Sequence, residues 1–450
     1  MLQMMHVKNS KLSEPVKASK RRSINHKIID FIIHLHPRKV PVEVLSFNKT
    51  WGLGGMALVL VGLLMFSGTL MILVYKPVPE QAYQSVSSLA GDYTFGRLIR
   101  NVHFFSANFL VVIALSHMLR VLFTLGFIKA RAGNWLIGIG LLVLTLFSCF
   151  TGYLLPWDQT AYWAVTICIH MLEYLPLGEF LTDLLTDGDG VSAKTLQIFF
   201  TCHTTLIPIL LITMLSIHFW KIRKAGGVIF SHTRSLEERR RQQSVHAWPN
   251  LFLREAVVGL WVIAVVMVLS LLFDAPLDEM ANSGLSPNPA KAPWYFCGFQ
   301  ELLFHFDPIL GVGIIPALAL GMLSALPFFS TPDENAGNWF ISPKGAKVAM
   351  VASLSACLLI PAYVLATAFV FDLQNSGGSG KLPLGDWTLF LIIVGGAVIS
   401  YALLKKKWGL TVNEVNQTLI TFFITAYIML TLICVWFRGP GMELGMGAFL

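Results

Sequence analysis

The chain is organised as nine apolar runs separated by polar segments: about Gly54–Val74, His103–Phe123, Trp135–Leu155, Thr201–Trp220, Ala256–Phe273, Ile309–Phe329, Val348–Val370, Trp387–Leu404 and Gln417–Phe437. A helix needs about 20 mostly apolar residues to cross a hydrocarbon core. In lipid, a segment that crosses singly must pair its own backbone groups, as a helix does. The pattern therefore predicts an all-α, polytopic membrane protein of about nine transmembrane helices, without a large water-soluble domain. Before the first run, Ile24–His36 alternates apolar and polar residues at helical spacing, which fits either a helix on the membrane surface or an amphipathic entry helix.

Hydrophobic residues make up 55% of the chain and charged residues 13%, with a mean hydropathy of +0.66. Charge gives the orientation. With the N-terminus inside, the inner segments hold 25 Lys and Arg residues against 7 outside, Arg120 standing at an inner helix end; this is the asymmetry of the positive-inside rule. The basic stretch from Lys8 to Lys27 has no cleavable hydrophobic segment behind it, so it reads as a cytoplasmic tail on a protein of a bacterial-type plasma (inner) membrane. The net charge of +8 then belongs to inner segments such as Lys221–Lys224, Arg239–Arg241 and Lys405–Lys407, and calls for no nucleic acid. The six cysteines are isolated and mostly apolar in setting, and no Cys-x-x-Cys-His motif offers covalent haem attachment.

Polar groups inside a membrane are expensive, which makes intramembrane histidines functional candidates. His103 and His117 lie fourteen residues apart in the second run; His203 and His218 lie fifteen apart in the fourth. Along a helix such pairs are roughly 21–22 Å apart and near one face. Two such helices suit two stacked metal centres, each taking one neutral imidazole from each helix, as haem iron does. Gly54 and Gly68 repeat the fourteen-residue interval in the first run, as do Gly138 and Gly152 in the third. A flat macrocycle needs such residues where it presses on a backbone, although glycines also serve helix packing. Arg97, Arg100 and Arg120 flank the histidines of the second run, where guanidinium groups pair with carboxylates such as haem propionates; snorkelling at helix ends is the alternative.

With Gly152-Tyr153-Leu154-Leu155-Pro156-Trp157-Asp158-Gln159 after the third run and Pro293-Trp294-Tyr295 before the sixth, the chain resembles the cytochrome b subunit of the Rieske/cytochrome b (cytochrome bc) family from about Val40 to Val370. The fifteen-residue interval and the Pro-Trp-Asp-Gln form are similar to the chloroplast-type branch, here with both halves in one chain. The resemblance implies a quinol:cytochrome c (or similar acceptor) oxidoreductase with bifurcated quinol oxidation and proton translocation. His103 and His203 would ligate an outer low-potential haem b, and His117 and His218 an inner high-potential haem b. It also implies a Rieske iron–sulfur protein, a c-type cytochrome subunit, membrane lipid and quinone as partners, in a dimeric complex. The outer quinol site would involve Tyr153, Pro156, Asp158, Trp294 and Tyr295.

Two departures from the family matter. Where the family's motif reads Pro-Glu-Trp-Tyr, this chain has Ala292-Pro293-Trp294-Tyr295, and proline accepts no proton. Quinol oxidation needs a carboxylate or imidazole within hydrogen-bond reach. Glu301 is the substitute expected here, with Asp158 and His305 as rivals and a structural ion pair as the other role for Glu301. Chloroplast-type members bind an additional haem through a cysteine at the position of Gly52, so two non-covalent b haems are expected and no covalently attached third. Arg223 matches an inner-site arginine of that branch, a quinone or propionate ligand unless it is only a positive-inside anchor.

The expected organisation is a tail and surface helix over residues 1–50, a four-helix dihaem bundle over 51–224, a charged cytoplasmic linker over 225–254, a three-helix quinol-site region over 255–371, and two extra helices with a C-terminal tail over 372–450. Two alternatives compete. A dihaem membrane anchor of another quinone-linked dehydrogenase or reductase also carries helix histidines, but has no need of the paired glycines or the Pro-Trp motifs. A transporter with packing histidines would hold no haem.

Overall fold

The computed structural model describes residues 39–128, 131–188, 190–225, 243–331, 333, 336–370 and 386–445. The Lys8–Lys27 tail, Ile24–His36, Arg239–Arg241 and the Gly/Ser-rich Gln374–Gly380 fall outside them. Among the described residues, nine helices of 20 to 32 residues are long and apolar enough to cross a membrane. They match the nine apolar runs one for one, and the protein is an all-α polytopic membrane protein.

The helices in chain order are α1 (Leu53–Ile72), α2 (Pro79–Gly91), α3 (Gly96–Phe123), α4 (Ala132–Tyr153), α5 (Gln159–Leu172), α6 (Gly178–Leu185) and α7 (Ala193–Lys224). They continue with α8 (Ala247–Leu272), α9 (Trp294–Leu302), α10 (Ile309–Phe329), α11 (Pro343–Phe369), α12 (Trp387–Lys406) and α13 (Val412–Phe437). The core bundle pairs α1 with α3 and α4 with α7, while α8 packs on α1 and α3, and α10 on α4. The Trp135 indole Nε1 donates to the Leu323 carbonyl at 2.7 Å, fastening α4 to α10. Helix α13 packs against α11 and α9, whereas α12 touches the rest chiefly through α13.

The fifth span starts at Ala247, earlier than the sequence suggests, so the described end of the 225–254 segment is ordered structure. Lys39–Pro41 (β1) and Ser244–His246 (β2) form an antiparallel ribbon with Lys39 opposite His246. Val40, Leu45 and Ala247 bury a small apolar core beneath it with Val245, Leu251 and Phe252. These apolar residues among charged ones draw the segment out of solvent. The ribbon ties the entry of the first span to the entry of the fifth.

Candidate functional site

Each of the four histidines lies against one of the four glycines. A Cβ placed on Gly68 would stand 3.2 Å from His103 Cε1, and one on Gly54 3.6 Å from His117 Cε1; α1 thus faces both histidines of α3. On α4, a Cβ on Gly138 would stand 3.6 Å from His218 Cε1 and one on Gly152 only 2.5 Å from His203 Cε1. The His103 and His203 rings are 6.2 Å apart, centroid to centroid.

Hydrogen bonds set the tautomers at this end of the bundle. His203 Nδ1 lies 3.0 Å from the Ser148 carbonyl, which only accepts, so Nδ1 carries the proton. His103 Nδ1 lies 3.0 Å from Ser67 Oγ. The Ser67 hydroxyl donates to the Leu63 carbonyl at 2.7 Å, so it accepts from Nδ1. Both rings are left with an unprotonated Nε2, the form that ligates a metal. At the other end His218 lies beside the Asn134 backbone, and its Nδ1 completes no hydrogen bond.

The unequal histidine spacings are reconciled by backbone geometry. At about 100° per residue, fourteen residues fall about 40° short of four turns and fifteen pass them by about 60°. Helix α7 carries a π turn at Cys202–Leu206, around His203. The wider turn absorbs one residue without a full residue's rotation. His203 and His218 thereby recover nearly the angular relation that His103 and His117 have in regular α-helix. Pro208, two residues after the π turn, has no N–H to give to the preceding turn.

The residues fit a porphyrin metal. Among the described residues, no group of three or more His, Cys, Asp or Glu side chains is placed to hold an ion. A metal at either histidine pair must therefore bring its remaining ligands with it, and a flat ring needs the glycine surfaces on α1 and α4.

The arginines behave differently. Arg97 Nη2 donates to Asp274 Oδ2 at 2.8 Å and Nε pairs with the other carboxylate oxygen. Arg100 donates to the carbonyls of Ala275 (2.8 Å) and Pro276 (2.5 Å). Both reach the segment after α8. Arg120 is buried near His117. Arg223 lines an open depression of about 270 Å³ with Trp220 and Lys224.

Near the His103/His203 end, α4 meets α9. The Cys149 thiol lies within hydrogen-bond reach of the Tyr295 hydroxyl, and Tyr153 is a near neighbour of Tyr295, Cys297 and Asp158. The Phe150 and Phe296 rings are 6.3 Å apart, and Trp294 Nε1 donates to Asn108 Oδ1 on α3 at 2.8 Å. Burial raises the Tyr295 hydroxyl pKa. Asp158 caps α5, its Oδ1 accepting from the Ala161 N–H at 2.9 Å. Burial pushes the Asp158 carboxyl above the usual range against the backbone donors Ala161 and Asp278.

Glu301 lies apart from this aromatic cluster in its bonding. It is 0% exposed and forms a bidentate pair with Arg438, itself 1% exposed: Nη2 to Oε1 at 2.6 Å and Nε to Oε2 at 3.1 Å. His305 Nε2 stands 3.4 Å from Oε1. Burial opposes ionisation of Glu301, but His305 and Arg438 outweigh it and hold the carboxyl below its ordinary range. Sequence reasoning placed Arg438 in an outer C-terminal segment open to a cytochrome subunit but missed its pairing with Glu301, and it missed Ser67 and Ser148. The only signal was a lone arginine ending the last run; the Ser67 hydroxyl is one of several inside apolar runs, and Ser148 acts through its backbone carbonyl, which any residue would supply.

The family model for "Cytochrome b/b6/petB" matches residues 39–226. The chain is 41% identical over 180 residues to cytochrome b6 of Prochlorococcus marinus (strain NATL1A), covering 40% of this chain and 83% of that protein. It is 38% identical over 200 residues to cytochrome b6 of Synechococcus sp. (strain RCC307), covering 44% of this chain and 90% of that one. In fold it is similar to a chain of the structure titled "Hyperthermophilic respiratory Complex III", with a TM-score of 0.65 and 22% identity, over 90% of this chain and 97% of that one. Fold and site thus define a membrane electron-transfer protein built on a histidine-bearing bundle. The chain belongs to the cytochrome b family of bc-type complexes, whose haems of b type are held without covalent attachment.

Proposed function

We propose that the protein is the cytochrome b subunit of a quinol:cytochrome c (or similar acceptor) oxidoreductase, with His103 and His203 holding one b haem and His117 and His218 a second. The four glycine–histidine contacts carry this reading, because packing alone does not require a residue without a side chain opposite every histidine. When bound, the haems supply one-electron carriers stacked across a core of about 30 Å. The Nδ1 bonds to Ser67 and Ser148 orient two of the ligands. Tyr153, Trp294 and Tyr295 line the outer quinol position, with Asp158 nearest among the carboxylates and the exposed Asp278 beside it leading to water. Asp158, beside Tyr153 and held among the described residues only by backbone N–H groups and by no cation, would take one of the quinol's two protons and pass it outward past Asp278. The quinol would give up two electrons and two protons: one electron would leave toward a Rieske iron–sulfur protein and a c-type cytochrome, haems held by the four histidines would carry the other toward a second quinone beside Arg223, and both protons would be released on the outer side. The respiratory complex III title of the similar fold supports such partners. The charge asymmetry supports a cytoplasmic N-terminus in a bacterial-type plasma membrane.

The test is a redox-titrated visible spectrum of the purified complex with haem counted per chain. Two solvent-extractable b haems titrating at separate potentials are expected. A single haem, or none, would sink the four-histidine reading and favour the membrane-anchor or transporter alternatives.

A further inference from the structure

The last span is bonded to α9 along its length. Tyr427 donates its hydroxyl to the Tyr295 carbonyl at 3.1 Å. Gly298 of α9 packs so closely that an added Cβ would lie 2.6 Å from the Tyr427 ring. The Cys434 thiol points to Gln300 Oε1 at 3.7 Å, and Lys291, just before α9, donates to the Val435 carbonyl at 3.1 Å. The row ends in the Arg438–Glu301 pair. Arg438 is itself held, its Nη1 donating to the Met442 carbonyl at 2.9 Å and its guanidinium lying 4.5 Å from the Phe304 ring centre. These contacts fix the helix whose first two residues are Trp294 and Tyr295.

We propose that Arg438 is a positioning residue for quinol oxidation: with Glu301 it locks α9 against α13, and Glu301 serves as the lock's anion and not as the proton acceptor. The inference rests on the reading of α9 as the outer quinol-side helix. Both oxygens of Glu301 accept from one guanidinium, and a carboxylate so engaged is a poor partner for a quinol hydroxyl. Removing one partner of a buried pair leaves an uncompensated charge, whereas replacing both by apolar residues of similar volume lets the helices repack.

The experiment uses the intact complex carrying Glu301→Gln, Arg438→Gln, Arg438→Lys or the double change Glu301→Met with Arg438→Met, and duroquinol as the probe. Haem per chain, KM and kcat are measured for each. Both Gln variants are expected to lose at least about tenfold in kcat/KM, with haem content kept. Arg438→Lys, which keeps charge but loses the fork, should fall between them and the parent. The double variant should recover to within about threefold of the parent. A double variant as inactive as Glu301→Gln, with full haem, would make Glu301 the proton acceptor and overturn the proposal. So would parental kinetics in Arg438→Gln. Failure of the haem count in the unaltered complex would instead overturn the underlying reading. If a Gln variant does not assemble, the double and Lys variants still decide, because an uncharged pair that works excludes an essential carboxylate.

Discussion

At the scale of residues, the distance from each glycine to its histidine grades what a methyl group would do. An alanine at 152 would put its Cβ 2.5 Å from His203 Cε1, closer than any relaxed contact, and one at 138 would be 3.6 Å from His218 Cε1, an ordinary contact. Both changes intrude on the surface a flat ring needs, so each should lower haem per chain, Gly152→Ala by most of one haem and Gly138→Ala by less; pyridine haemochrome assay of both variants checks this. Parental haem in both would mean that the glycines serve helix packing and not the ring. The histidines and glycines were legible because their interval is a spacing, which a linear sequence preserves. The Nδ1 partners were not. A hydroxyl or a carbonyl inside an apolar run has no sequence mark until a ring is brought 3.0 Å from it. Glu301 was legible as a chemical group, but its role was not, because Arg438 lies 137 residues away.

Among the elements, the nine spans could be read directly from apolar run length, since each helix must satisfy its own backbone in lipid. What run length does not carry is which neighbours a span finds. The last two spans looked alike in sequence, neither containing a histidine. In the folded protein α12 buries none of its apolar stretch, against a third for α13. The polar positions of α13 explain the difference. Gln417 Nε2 donates to the Leu122 and Phe123 carbonyls of α3 at 3.2 and 3.1 Å, and Asn413 exchanges hydrogen bonds with the Thr331 backbone. Cysteine labelling from the lipid phase should separate the two helices. A cysteine at Leu391, now 63% exposed, should react at least about tenfold faster with a membrane-soluble maleimide than one at Ala426, now 8% exposed. Similar rates would mean that α13 lies open to lipid.

For the whole molecule, orientation follows from charge and not from the fold, which is the same either way up. The 25-to-7 division of basic residues predicts that alkaline phosphatase fused after Lys407 is inactive, and that fusions after Asp187 or Gly445 are active. The reverse pattern would place the His103/His203 end inside and invert the direction of proton release. The short ribbon between Lys39–Pro41 and Ser244–His246 carries a last consequence. It is made by the end of the connecting segment itself, whereas α8 lying on α1 and α3 joins the haem-bearing half to the other half by contacts that do not depend on that segment. Fusion into one polypeptide therefore contributes little to where the halves sit. What it supplies is guaranteed one-to-one stoichiometry and a high local concentration of one half around the other, so that assembly becomes a unimolecular event.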